Sequence, residues 1–502
     1  MKNKSKKQFK PIVIILMTLL CIFTDSLSPI RATADDDADL FGEMEDIIQK
    51  DEDKSSSDDA SDLFAEMANA ENDQSRNEKW PILKKAVQNF EGSLKLSTLY
   101  YFRDATPRSG LDTHNEVNEA LLKYTTWTGT DTLSLHVSGW LETGSQKETW
   151  KGHVHWMQDR DYYRRHVECN ELYLLLNRKS YDITAGKKIV NNGLSALYSP
   201  ANRFKAFDLH DPVNPKEFGI WQVMLDKYIR DTQLSFAVFP IYMEIKRPAF
   251  SSRMWGDIDE DILIQSALID AQDEFPVFDE KYIGSFARLK KSIAGWDLFV
   301  NAHSGTNPYD VIREHQDVQI STTIRTTSVG TGFSTTFKSL ELHGESLVNY
   351  SENHKDDDYV NAVLGFTYTT DALFFENTVF TLEYAREKII EKQNAATYTQ
   401  SSIYARQGVD DLFAKLKLIY DKDLNLEFFT HYEIDEKAGL FRFNTKYRLT
   451  GALSFSIAVE YFEILGDRDK SYQSDGIVTI QNLSHRDRDK NDRITADLQY
   501  DF

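Results

Sequence analysis

The residues that could do acid–base or metal chemistry form no complete active-site pattern. His153 and His155 share one face of a strand and could bind a metal ion, but the pattern favours polar wall residues near a loop. His210-Asp211 could be half of an acid–histidine protease site, yet the sequence offers no second aspartate pair. No G-x-S-x-G or H-E-x-x-H motif occurs. We therefore predict that the chain is not an enzyme and carries no cofactor and no metal.

Three acidic clusters begin like calcium-binding loops. They are Asp257-x-Asp259-x-Asp261, Asp467-x-Asp469-x-Ser471 and Asp487-x-Asp489-x-Asn491. Each lacks the glycine at the sixth position and the glutamate at the twelfth position of such a loop. They are typical of solvated surface loops, and the alternative is weak divalent-ion bridging between loops.

Strict alternation of apolar and polar residues is the strongest structural signal. In residues 494–502, Ile494, Ala496, Leu498, Tyr500 and Phe502 share one face, and polar residues occupy the other. This period of two predicts a membrane-spanning strand with one lipid face and one wet face. A strand of this kind that ends on phenylalanine is typical of the signal read by the barrel assembly machinery of outer membranes.

The same alternation assigns charged residues to the interior of a barrel. A charge on the lipid face costs about 2–4 kcal/mol at mid-membrane, so charges between apolar residues must point inward. The basic lining is predicted to be Arg288, Lys290, Lys415, Lys417, Arg442, Lys446 and Arg448. The opposing acidic lining is predicted to be Glu383, Glu387, Glu460, Asp497 and Asp501. These charges either set the ion selectivity of a pore or pair with one another across strands.

The connections between strands alternate between short and long after about Asn89. Nine long links separate eight short turns, which implies 18 strands, with 16 as the alternative. The short turns are placed at Thr128-Gly129-Thr130, Asn177-Arg178-Lys179, Arg230-Asp231, Ala294-Gly295, Val329-Gly330, Thr370-Asp371, Asp421-Lys422-Asp423 and Thr450-Gly451. We predict an all-β fold: a transmembrane up-and-down antiparallel β-barrel of 16–18 strands over residues 89–502, with both ends in the periplasm.

Residues 1–34 have the pattern of a cleaved secretory signal. A lysine-rich start precedes the apolar run Pro11 to Phe23, and Ala32-Thr33-Ala34 supplies the small residues of a cleavage site. Cleavage would leave Cys169 as the single cysteine, so no intrachain disulfide is expected. The predicted destination is the outer membrane of a Gram-negative-type bacterium.

Residues 35–88 are predicted to be a short acidic, partly disordered periplasmic segment. Between residues 35 and 78 there are 17 acidic and 3 basic residues, a net charge of −14 out of −21 for the whole chain. The motif D-L-F-x-E-M occurs twice, with apolar faces formed by Leu40, Phe41 and Met44, then Leu63, Phe64 and Met67. The segment is either a solvated linker or a bivalent peptide that docks a periplasmic protein.

The longest link, residues 244–280, is predicted to fold into the barrel and narrow it. It contains Ile258, Ile262 and Leu263 at helical spacing, and such a loop needs an apolar surface. This places basic residues near an acidic run: Lys246, Arg247 and Arg253 beside Asp257, Asp259 and Asp261. The alternative is an outward cap on neighbouring loops or on a neighbouring protomer.

Residues 170–215 carry motifs of a known family. A strand leads to TyrAspIleThrAlaGlyLysLysIleValAsnAsnGly (181–193), followed by a loop that runs from TyrSerPro to AsnPro (198–215). This stretch resembles the alginate-export-like porins and their many uncharacterised relatives. The resemblance implies an outer-membrane channel that passes small hydrophilic solutes passively. The rival hypothesis is a receptor or anchor in the outer-membrane lipid, with the acidic repeats docking a partner; no nucleic acid partner is expected for so acidic a chain.

Overall fold

The structure of the 502-residue chain is a computed structural model. It describes residues 89–105, 114–146, 149–154, 163–246, 248, 252–255, 282–309, 311–315, 318–371, 375–394, 398–400, 402, 406–464 and 491–502.

Eighteen strands form one antiparallel sheet, and we number them β1–β18 in chain order. They are β1 (Glu91–Tyr101), β2 (Glu116–Gly129), β3 (Leu133–Gly144), β4 (Val167–Arg178), β5 (Tyr181–Lys188), β6 (Ile220–Ile229), β7 (Thr232–Phe239), β8 (Gly284–Ile293), β9 (Trp296–Thr306), β10 (Arg325–Phe337), β11 (Leu340–Ser351), β12 (Asp358–Thr370), β13 (Asn377–Glu391), β14 (Asp410–Ile419), β15 (Leu424–Glu433), β16 (Ala438–Arg448), β17 (Leu453–Ile464) and β18 (Arg493–Asp501).

The sheet closes on itself because the last strand pairs with the first. β18 runs antiparallel to β1 from Ser93 opposite Asp501 to Tyr101 opposite Arg493. The backbones of Gly92 and Phe502 extend the seam with two hydrogen bonds, of 2.9 and 3.0 Å. Closure removes the free edges that an open sheet would expose, so the predicted 18-strand antiparallel barrel is confirmed.

The connections follow the predicted alternation of eight turns and nine longer links, with one error. Val329-Gly330 is not a turn: both residues lie inside β10, and the turn is Lys338-Ser339. Gly330 is needed for another reason, because a β-carbon there would overlap the inward-facing amide of Asn301 on β9. The glycine therefore makes room for a neighbouring side chain.

Side chains alternate between an apolar outer face and a polar inner face. On the outer face, Leu364 is 64% exposed and Phe236 is 53% exposed, whereas the inward Glu383 and Glu460 are 0% and 1% exposed. Leaving large apolar side chains outside and charged ones inside reverses the pattern of a soluble sheet. It is the arrangement that lipid requires of a β-barrel.

The remaining elements lie in the long links. Short strands are Phe207–Asp208, Lys216–Glu217, Val311–His315, Val318–Thr322 and Tyr398–Gln400, and single 3-10 turns are Pro200–Asn202, Arg253–Trp255 and Glu352–His354. Within the described ranges, no helix has the length and hydrophobicity that a membrane span needs.

Candidate functional site: a chain segment across the barrel lumen

Residues 189–219, which join β5 to β6, lie inside the barrel. We call them the lumen segment. They contact inward-facing side chains on strands around the wall, beginning with two glutamates. Glu345 on β11 and Glu383 on β13 accept hydrogen bonds from five consecutive backbone N–H groups, residues 194–198, over 2.5–3.0 Å.

Two side chains complete this attachment. The Ser199 hydroxyl donates to Glu345 Oε2 at 2.6 Å, and His343 Nε2 lies 2.8 Å from Glu383 Oε1. Both glutamates are at most 4% exposed. Their charge is met by backbone dipoles and an imidazole, since no lysine or arginine among the described residues forms an ion pair with either. Charge-assisted hydrogen bonds of this kind contribute about 1.5–3 kcal/mol each.

An arginine pair extends the attachment toward the loop end of the barrel. Arg203 of the lumen segment and Arg406 both bind Glu387 on β13, each over 2.5 Å. Arg406 also lies 3.4 Å from Asp356. The side chains of Arg203, Arg406 and Glu387 are all nearly inaccessible to solvent. Removing one of them would therefore leave an unpaired buried charge, at a cost of about 3–5 kcal/mol.

The far end of the lumen segment is bound to the opposite wall. Asp211 makes a two-oxygen ion pair with Arg493 on β18, over 2.8 and 3.0 Å. Burial raises the pKa of Asp211, but attraction to Arg493 outweighs it and lowers the pKa to about 2. Lys216 reaches Glu142 on β3 over 2.5 Å. His210 bonds Asp208, and the Asn214 N–H donates to the Asp211 carbonyl at 3.0 Å, so both residues belong to a turn that binds the wall through Arg493.

Aromatic contacts fix the middle of the lumen segment. The ring of Phe204 lies 5.4 Å from Phe286 on β8 and 4.9 Å from His303 on β9, and Tyr198 stacks on Phe413 of β14 at 5.5 Å. Together with the ion pairs, these contacts define the path of the segment, which runs from β11–β14 past β7–β9 to β18 and β3. The segment therefore crosses the lumen and reduces its open cross-section.

The predicted constriction link, 244–280, is described only in part. Lys246 is buried beside the lumen segment, and its backbone exchanges hydrogen bonds with Phe207 and Leu209 over 2.9 and 2.8 Å. Arg253 lies on the Tyr101 ring at 3.6 Å and donates to the carbonyl of Arg103. The other predicted residues of this link lie outside the described residues: Arg247, Asp257, Asp259 and Asp261.

The register places all twelve predicted lining residues on the inner face of the wall. Seven are basic, Arg288, Lys290, Lys415, Lys417, Arg442, Lys446 and Arg448, and five are acidic, Glu383, Glu387, Glu460, Asp497 and Asp501. The predicted opposition of charges is wrong for two of them. Glu460 lies beside Arg442 at 3.4 Å, and Asp497 lies 3.5 Å from Lys95, because their strands are neighbours.

Sequence reasoning places Glu383 and Glu387 in the lining but misses Glu345 and Arg203, which also hold the lumen segment. The alternation of β11 puts Glu345 on the inner face. The sequence does carry one signal for a buried link. The 189–219 link is long and contains Leu194, Leu197 and Phe204, apolar residues that a solvated loop does not need. Several other predicted sites lie outside the described residues. They are two of the calcium-like clusters, His155 and the partner-docking residues Leu40, Phe41, Met44, Leu63, Phe64 and Met67. Of the third cluster only Asn491 is described.

Comparisons with known proteins give a likeness of fold only. No protein-family model and no curated protein matches the sequence. Among solved structures, an engineered Rh. blastica porin is similar at 10% identity and a TM-score of 0.36, over 82% of this chain and 99% of the porin. A loop-deleted OmpT, an outer membrane protein of Vibrio cholerae, is similar at 9% identity and a TM-score of 0.36, over 82% and 98%. The architecture itself, a closed barrel with an apolar outside, is that of a porin-like outer-membrane β-barrel.

Proposed function

We propose that the protein is an outer-membrane channel through which small hydrophilic solutes diffuse, with the lumen segment as its narrowest part. The observation that carries the proposal is a group of inward-facing cations. Lys290, Lys417, Lys446 and Arg448 form no ion pair with any described residue. An unpaired charge inside a dry protein costs several kcal/mol, so the lumen beside these cations must hold water.

The lumen segment supplies the second requirement of a selective channel, a fixed constriction. Glu345, Glu383 and Glu387 attach it to one wall, and Arg493 attaches it to another. A segment held at both ends keeps one shape, so the remaining opening has a defined size. Under this proposal, solutes smaller than that opening diffuse through it.

Selectivity is assigned to the unpaired cations rather than to all the predicted lining residues. Lys415 pairs with Glu427 at 3.0 Å, and Arg442 and Asp497 are paired as described above. A paired charge presents little net field to a passing ion, whereas an unpaired one attracts or repels it. Lys446 and Arg448 on β16 are therefore the main candidates for tuning permeation.

The test is the ion selectivity of the purified barrel in planar bilayers. Lys446→Glu should move the reversal potential in a salt gradient toward cation preference. Lys179→Glu is the matched control, because Lys179 is exposed in the turn between β4 and β5, outside the lumen. A folded barrel that conducts no ions would refute the channel and favour the alternative, an anchor whose acidic repeats dock a periplasmic protein.

The rest of the proposal comes from sequence. Residues 1–34 act as an export signal, residues 35–88 lie in the periplasm, and the barrel assembly machinery inserts the chain into the outer membrane. The motifs of residues 170–215 favour kinship with the alginate-export-like porins, and they specify no solute. The proposal assigns no catalytic role.

A further inference from the structure

Three potential metal ligands meet at the loop end of the barrel wall. His354 lies in the turn between β11 and β12, Asp358 begins β12, and Glu391 ends β13 directly opposite Asp358 in the register. One nitrogen or oxygen from each of the three lies within 4.8 Å of the others. His354 lies nine residues after Glu345, and Glu391 lies eight residues after Glu383 on the same strand, but the lumen segment's attachments to Glu345 and Glu383 do not use these side chains.

The Asp358 carboxylate is held in a fixed orientation. Its Oδ1 accepts a hydrogen bond from the backbone N–H of Ser351 at 2.6 Å. Its Oδ2 is then directed at the imidazole, 3.7 Å from His354 Nδ1. A ligand oriented by a second hydrogen bond is the usual arrangement in metal sites. Asp358 therefore provides a fixed oxygen.

The backbone that carries the imidazole is also fixed. Asn353 and His354 have φ values of +54° and +52°, a left-handed conformation that residues other than glycine seldom adopt. The His354 carbonyl accepts a hydrogen bond from the N–H of Asn394, just beyond β13, at 2.9 Å. The turn is thus tied to β13, and His354 is presented between the two carboxylates.

The separations suit a shared ion better than direct hydrogen bonds. His354 Nδ1 lies 3.7 Å from Asp358 and His354 Nε2 lies 3.8 Å from Glu391, both beyond the usual N–H···O range. One ion would take one of the two nitrogens, and with one ligand atom from each residue the three separations are at most 4.8 Å. Two ligands at about 2.1 Å from a tetrahedral ion are roughly 3.4 Å apart. Closing the separations from at most 4.8 Å to that value needs a movement of about an ångström. The Glu391 side chain is 61% exposed and can make this movement, whereas Asp358 is 7% exposed and fixed.

We propose that His354, Asp358 and Glu391 bind one divalent ion of the zinc class, with water in the remaining position. The imidazole selects transition metals over calcium and magnesium, which prefer oxygen ligands alone. Bound metal would join the β11–β12 turn to the end of β13. The neighbouring Asp357 and Asp356 bind the backbone of Gln393 and Ser402 at 2.8 and 2.9 Å, so the ion would also stabilise the link from β13 to β14 at the channel mouth.

The test is calorimetric titration of the purified full-length barrel in detergent with Zn²⁺ alone, repeated with Co²⁺ to follow its visible absorption. One ion per chain is expected. His354→Ala and Glu391→Gln should each weaken binding more than about tenfold. Glu352→Gln is the matched control, since Glu352 lies in the same turn and contacts only Lys355 among the described side chains, at 3.9 Å.

Binding that is unchanged in His354→Ala would place the metal elsewhere and overturn the proposal. A wild-type barrel that binds neither Zn²⁺ nor Co²⁺ would also overturn it. Neither outcome depends on conductance, so this site and the proposed channel are tested separately.

Discussion

Replacing Glu383 by glutamine should release the lumen segment without opening the barrel. Glu383 accepts the N–H groups of Ala196, Leu197 and Tyr198 and lies within hydrogen-bond distance of His343. The wall does not depend on this carboxylate, because β13 is held to its neighbours by backbone pairing. The change should therefore affect the segment far more than the strands.

The loss of free energy that holds the segment in place follows from the number of hydrogen-bond donors around Glu383. A carboxylate has about four acceptor positions, whereas an amide oxygen has about two and its NH₂ group cannot accept. About two of the four donors would be left buried without a partner, at about 1–3 kcal/mol each. Seating of the segment should weaken by about 2–6 kcal/mol, which multiplies the unseated fraction at least about 30-fold.

Single-channel recording in planar bilayers measures this directly. Glu383→Gln should show frequent steps to a higher conductance level that are rare in the wild type. Glu341→Gln is the control, because Glu341 also points inward from β11 but bonds the Ser334 hydroxyl at 2.9 Å instead of the segment. The reasoning would be refuted if a correctly folded Glu383→Gln barrel kept the wild-type conductance, or if both variants changed it equally.

Three further predictions concern the pH response, the seam and the topology. The ion pair of Asp211 stabilises the seated segment at pH values above about 4, and this stabilisation is lost as the pH falls toward 2. Because Asp211 is 33% exposed, the loss in stability is about 1 kcal/mol. Asp211→Asn should abolish this part of the acid dependence of thermal unfolding. Phe502→Asp should slow insertion, since its ring stacks on Phe90 at 5.8 Å beside the closing hydrogen bonds; unaltered surface levels in a pulse–chase experiment would contradict this. In a Cys169→Ser background, His153→Cys should react with an impermeant maleimide on intact cells and Lys422→Cys should not, and the reverse result would invert the topology.

The wall could be predicted from sequence because its signal is local. Alternation in strands such as residues 453–461 depends only on which side meets lipid, and each turn or link is visible where it occurs. The error at Val329-Gly330 arose where a glycine serves a neighbouring strand: its reason is the Asn301 side chain, 29 residues away.

The constriction could not be predicted because its partners are distant in sequence. Glu383 binds a backbone N–H 185 residues away, and Arg493 binds Asp211, 282 residues away. A backbone N–H donor also has no sequence signature, since every residue except proline carries one. Periodicity places Glu345 and Glu383 on the inner face, but it does not show that the link 189–219 lies in front of them.

The same long separations have a consequence for the order of events during assembly. The lumen segment is synthesised before β6–β18, so Glu345, Glu383 and Arg493 do not yet exist in the chain when it emerges. Contacts between parts so far apart form late, because the chain between them must first be ordered. Arg493 is in position only when β18 has closed against β1. We therefore expect the lumen to be wider until the segment is seated, and the proposed channel to leak for as long as that step takes.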